Sequence, residues 1–109
     1  MTKRTIHMAR IKSECLDAYK EYHRQVWPEL EAVYRKAGFT ELSCFLNDNL
    51  LVIFLEYDNA RYPASSAWLD TNEVQVKWQA LMKPMSDPEF TKLDFEEIYR
   101  MSESSLQPA

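Results

Sequence analysis

Tyr19 and His23 lie four residues apart in a stretch where Leu16, Tyr19, His23, Val26 and Leu30 recur at three- and four-residue spacing. That spacing is one face of a helix, so the phenol and the imidazole project from the same side of it. An imidazole, with a reference pKa of about 6.5, can both donate and accept a proton near neutrality. A histidine on an apolar, sheet-facing stripe has two readings. It is a core residue hydrogen-bonded by Tyr19 or a backbone carbonyl, the commoner outcome for a lone case. Or it is a general acid–base group at the edge of a cavity, with Tyr19 orienting a hydroxyl-rich ligand. Trp27 and Trp78 pose a similar choice between core residue and platform for the apolar face of a sugar. Lys77, beside Trp78, reads on its own as a solvated helix charge. Glu96 and Glu97 are adjacent, and neighbouring strand residues point to opposite faces, which excludes a glycosidase-like pair built from these two. His7, His23, Cys15 and Cys44 show no zinc-ligand spacing, so no metal is expected.

These side chains must be positioned by a small fold. A chain of 109 residues makes one domain, read as residues 1–101 followed by a loose polar tail over 102–109. A net charge of −4 argues against a nucleic-acid partner, because phosphate binding needs concentrated Lys and Arg. No run of 18 apolar residues predicts a membrane span, and the N-terminus lacks the apolar stretch of a secretory signal. Two cysteines without CxxC spacing fit reduced thiols in a cytoplasmic protein.

Residues 4–11 predict a first strand, and Ser13 a helix N-cap with Glu14 and Asp17 near the positive end of the helix. Pro28 predicts a kink or break near Trp27, with the helix resuming over 29–37. Gly38, the only glycine, sits where a left-handed residue ends a helix. Residues 41–46 predict a second strand, Asn47-Asp48-Asn49 a hairpin turn, and the apolar run 50–55 a central strand covered on both faces. Pro63 opens or precedes a second helical region over roughly 64–82, ended by Pro84, and residues 93–101 predict the last strand. The order β-α-β-β-α-β is an α+β, ferredoxin-like unit. Its sheet has helices on one face only, so the other face calls for cover, which a face-to-face homodimer supplies.

The run Tyr19-Lys20-Glu21-Tyr22-His23-Arg24-Gln25-Val26-Trp27-Pro28-Glu29-Leu30 resembles the Y-x3-H-x3-WPE segment of the L-rhamnose mutarotase family. The likeness extends over nearly the whole chain, through the Gly38 turn, the hairpin and the helix bearing Trp78. It closes on Glu96-Glu97-Ile98-Tyr99, similar to the family's E-V-F ending. The resemblance implies a dimeric α/β barrel that interconverts the α and β anomers of a 6-deoxy-hexose, L-rhamnose first and L-fucose next. It implies an isomerase with a monosaccharide substrate and no metal, redox step or cofactor. It implies His23 as the proton donor, Tyr19 as a sugar ligand, and Lys77 and Trp78 where the family carries two adjacent sugar-binding tryptophans. This chain departs from the pattern twice, with an ammonium at Lys77 and with Leu42 in place of a sugar-binding tyrosine. Sites that hydrogen-bond a hydroxyl discriminate strongly between analogues, so these departures bear on which sugar is preferred. The competing readings on this fold are a haem-binding or cofactor-free monooxygenase and a small-molecule-binding module.

Overall fold

A computed structural model describes residues 1–90 and 93–103. Strand β1 covers Thr2–Arg10, helix α1 Leu16–Arg24, helix α2 Pro28–Ala37, strand β2 Phe39–Asn47 and strand β3 Leu50–Asp58. Helix α3 follows at Ser66–Thr71, helix α4 at Glu73–Met82 and strand β4 at Leu93–Glu96. The described strands form one antiparallel sheet in the order β2-β3-β1-β4, with the expected ferredoxin-like connectivity.

Three local expectations need correction. Ser13 is not an N-cap: residues Ser13–Cys15 form a 3₁₀ turn, and no side chain caps the start of α1. The Cys15 amide is already satisfied by the Lys12 carbonyl at 2.8 Å, so the chain winds into the helix through backbone bonds alone. At Pro28, where a kink or a break is expected, the helix breaks fully. Trp27, the residue before proline, is held extended at φ −61° and ψ 127°, and Pro28 opens α2 at a position where its missing N–H costs nothing. The second helical region is also two helices. Asn72 ends α3 in an extended conformation and caps α4, its side-chain oxygen accepting from the amides of Val74 at 2.9 Å and Gln75 at 3.2 Å. The last strand is shorter than 93–101. It stops at Glu96, and Glu97 instead turns its carboxylate onto Arg4 Nε at 3.0 Å. Of the tail expected over 102–109, residues 104–109 lie outside those described.

Other expectations hold. Gly38 follows α2 at φ +115°, and its amide donates to the Arg35 carbonyl. The last carbonyls of α2 are closed by the Arg61 guanidinium, which donates to Arg35 and Lys36, and by the Ser65 hydroxyl, which donates to Ala37 at 2.6 Å. The β2–β3 hairpin turns at Asp48-Asn49, with Asp48 at φ 56°, a left-handed conformation that aspartate tolerates.

The sheet divides the residues of the 50–55 run between two environments. Leu51 and Ile53 face the helices and pack with Ile11, Tyr19, Leu30, Trp78, Met82 and Met85. A second cluster, Ala37, Phe39, Tyr57 and Leu69, fills the Gly38 end. On the other face, Ile6 lies between Phe54 and Phe95 in the ladder, and Met8 between Val52 and Leu93. Phe45, Leu93 and Phe95 there are 60%, 48% and 45% exposed. Arg4 borders this apolar surface, bonded to Glu56 and Glu97 and lying over the Phe54 ring. No helix among the described residues is long and apolar enough to cross a membrane.

Candidate active site

Between α1 and the sheet lies an open cavity of about 320 Å³. It is walled by Tyr19, Lys20, His23 and Arg24 of α1, Cys44 and Leu46 of β2, and Leu51 of β3. The helix side supplies the polar atoms because positions 19, 20, 23 and 24 span one arc of a 3.6-residue turn.

His23 sits in the last turn of α1, and its Nδ1–H donates to the Tyr19 carbonyl at 2.7 Å. A carbonyl can only accept, so the proton of the neutral ring belongs on Nδ1, and Nε2 is left with a free lone pair. The imidazole lies stacked on the Tyr19 ring, centroids 4.4 Å apart and planes 26° from parallel. On its other side it meets the indole of Trp78 edge-on at 5.4 Å. Hydrogen bond, stack and edge contact together hold one ring orientation.

Tyr19 is only 6% exposed, no described residue hydrogen-bonds its hydroxyl, and among the described residues no fully buried side-chain oxygen is left unpaired. Its hydroxyl therefore opens on the cavity. Burial, reinforced by nearby Cys44 and Tyr34, pushes the phenol well above its usual pKa. Tyr19 thus stays protonated through the physiological range and beyond, a donor rather than a base. Cys44 is solvent-accessible from the cavity, yet the surrounding protein raises its thiol, which stays neutral at pH 7.

Behind this wall stands an aromatic cluster. Trp27 meets Trp78 edge-on at 5.2 Å and Tyr22 meets it at 6.3 Å. The helix break at Pro28 permits this, since Trp27 leaves the line of α1 and packs against α4. The Tyr34 hydroxyl donates to Gln75, tying α2 to the same helix.

The structure thus brings two of the four expected site residues, Tyr19 and His23, together on the cavity wall. Trp78 touches His23 but is 5% exposed and lies in the core cluster, outside the cavity lining. Lys77 is exposed on α4 and also lies outside the lining. Leu42 shares the helix-facing row of β2 with Cys44 and Leu46 but does not reach the lining. Sequence reasoning missed Lys20, Arg24, Cys44, Leu46 and Leu51. Lys20 and Arg24 were recoverable as sequence neighbours of the Tyr19–His23 pair. The sheet residues were not, because strand alternation does not say which helix a strand faces. His7, outside the cavity, is bonded to Asp94 opposite it on β4, and Arg24 to Glu21.

A sequence model of the L-rhamnose mutarotase family matches residues 4–103. The L-rhamnose mutarotase of Formosa agariphila is 30% identical over 88 residues, covering 77% of this chain and 84% of that protein. The L-fucose mutarotase of Xanthomonas campestris pv. campestris is 34% identical over 67 residues, covering 59% of this chain and 54% of that protein. In three dimensions the chain is similar to the crystal structure of an L-rhamnose mutarotase from Formosa agariphila. The TM-score is 0.70 at 26% identity, over 92% of this chain and 99% of that one. A cofactor-independent oxygenase from Streptomyces nogalater, 11% identical with a TM-score of 0.57 over 94% and 96% of the two chains, shares the fold alone.

Proposed function

The chain belongs to the L-rhamnose mutarotase family, and on that premise we propose that it interconverts the α and β anomers of a 6-deoxy-hexose, L-rhamnose foremost and L-fucose next. The observation that carries this reading is the pairing of a free imidazole Nε2 with a protonated, unpartnered phenol on one wall of a small cavity. The volume falls in the range of small-molecule pockets, about 300–1,000 Å³.

The chemistry follows from those two groups. His23 Nε2 takes the proton of the anomeric hydroxyl, the C1–O5 bond breaks, and C1 becomes an aldehyde carbon. His23 Nε2–H then returns that proton to the departing ring oxygen, which the Tyr19 hydroxyl hydrogen-bonds and positions. Rotation about C1–C2 presents the other carbonyl face, and the same steps in reverse close the ring. General acid–base catalysis of this kind supplies roughly 10²–10⁴-fold, and orientation of the sugar adds to it. Anomer exchange already proceeds in water, so a single acid–base centre meets the demand.

Trp78 serves this site by holding His23 edge-on. Lys77 stands outside the cavity lining, so only the reach of its flexible stem brings an ammonium to sugar hydroxyls, where an indole would have offered a stacking face. Saturation-difference NMR across a panel of 6-deoxy-hexoses tests the reading. Exchange between the anomeric signals of L-rhamnose is expected to be accelerated most, then that of L-fucose. Exchange at the buffer rate for every sugar would overturn it.

The assembly we propose is a homodimer formed through the open sheet face. Ile6, Phe45, Phe54, Leu93 and Phe95 share the sheet face that carries no helix, and contiguous exposed apolar side chains of this kind mark interaction surfaces. Light scattering is expected to return twice the chain mass, and Phe54→Asp to reduce it to one. Both cysteines are unpaired, which supports a reducing, cytoplasmic setting.

A further inference from the structure

The two walls of the cavity differ in kind. Every nitrogen and oxygen in its side-chain lining comes from α1, through Tyr19, Lys20, His23 and Arg24. The sheet wall offers only Cys44, Leu46 and Leu51. These follow from strand alternation: Cys44 and Leu46 stand two apart on one side of β2, and Leu46 pairs with Leu51 across the ladder. A thiol is a weak donor and packs as a small hydrophobe. A sugar hydroxyl set against this wall would exchange water for nothing.

A hexose entering such a cavity must turn its least hydroxylated edge to the sheet. In a 6-deoxy-hexose that edge is the one carrying the C5 methyl group. We propose that Cys44, Leu46 and Leu51 form a methyl-reading wall, with Cys44 in direct contact with bound sugar, so that the substrate lies with C1 and the ring oxygen toward His23 and Tyr19 and its methyl toward the β2–β3 ladder. This deepens the mutarotase reading and rests on it. Cys44 is then a specificity residue, set beside the Tyr19 hydroxyl that opens on the same space. Leu42, one pleat along the same row, extends the apolar surface beyond the cavity.

The discriminating pair is L-rhamnose and L-mannose, which differ only in a methyl or a hydroxymethyl group at C5. An apolar pocket rejects an added hydroxyl by up to about 10²-fold, so kcat/KM for L-mannose is expected to fall roughly 10–100-fold below that for L-rhamnose. Cys44→Ser places a hydroxyl on the wall in nearly the same volume. It is expected to narrow that ratio, chiefly through a lower KM for L-mannose. Independently, saturating L-rhamnose is expected to slow iodoacetamide labelling of Cys44 several-fold, read by peptide mapping that separates it from Cys15. Equal kcat/KM for the two sugars, or labelling indifferent to L-rhamnose while anomer exchange is intact, overturns the methyl-reading wall and leaves the mutarotase reading standing. No exchange with any 6-deoxy sugar overturns both.

Discussion

Replacing His23 by asparagine is expected to slow anomer exchange by about 10²–10⁴-fold, the contribution of one positioned acid–base group. The substitution is chosen from the geometry. An asparagine amide can occupy the place of Nδ1 and still donate to the Tyr19 carbonyl, which His23 reaches at 2.7 Å. What it lacks is Nε2, the one ring atom that hydrogen bond leaves free. The fold should tolerate the change, because His23 is only part-buried and joins no buried ion pair. Saturation-transfer NMR on L-rhamnose measures the rate, and a thermal melt confirms that the variant is folded. A folded His23→Asn protein with an undiminished exchange rate would remove His23 from the mechanism. Residual acceleration above buffer is compatible with the mechanism, since Tyr19 and the cavity still orient the sugar.

Removing the indole of Trp78 should act first on stability. Trp78 is 5% exposed and is met edge-on by Tyr22, His23 and Trp27. Truncating a buried tryptophan to alanine costs roughly 3–5 kcal/mol. Domains of this size have about 5–15 kcal/mol in all, so Trp78→Ala should lower the urea midpoint sharply, and its lost activity would say nothing about sugar binding. Trp78→Phe separates the two roles. It keeps an aromatic edge for His23 and falls in the ordinary range of about 0.5–3 kcal/mol. If Trp78 acts by holding His23, the Phe variant lowers kcat and leaves KM nearly unchanged. A raised KM at constant kcat would show that the indole itself touches the sugar.

How far the sequence anticipates this arrangement depends on the range of the interaction concerned. The i, i+4 relation of Tyr19 and His23, the left-handed Gly38 and the Asp48-Asn49 turn are local, and all three are legible. The break at Pro28 was anticipated as a kink or a break, while Asn72 went unnoticed, although an asparagine immediately before a helical run is a cap by type. Ser13 misled for the converse reason: backbone bonds from the 3₁₀ turn took the place its side chain would have filled. The cavity's sheet wall was not legible at all. Alternation fixes that Cys44 and Leu46 share a side of β2, but only the packed helices decide that α1 stands over them. The same holds for Trp78, whose burial beneath His23 comes from α4 docking on Trp27. Propensity and spacing place residues on elements; tertiary packing decides which ones share a space.

Gly38 has a consequence in the state where none of these contacts exists. Average usage of about 7% would put roughly eight glycines in a chain this long, and this one has a single residue of that type, spent where φ is +115°. A glycine replaced by alanine at a compatible position narrows the denatured ensemble by about 0.4–1 kcal/mol. A polypeptide with one swivel in 109 residues therefore begins folding from an unusually restricted coil, and has correspondingly less freedom to lose. Part of what keeps this protein folded is absent from any list of its native contacts, because it resides in conformations that the unfolded chain cannot visit.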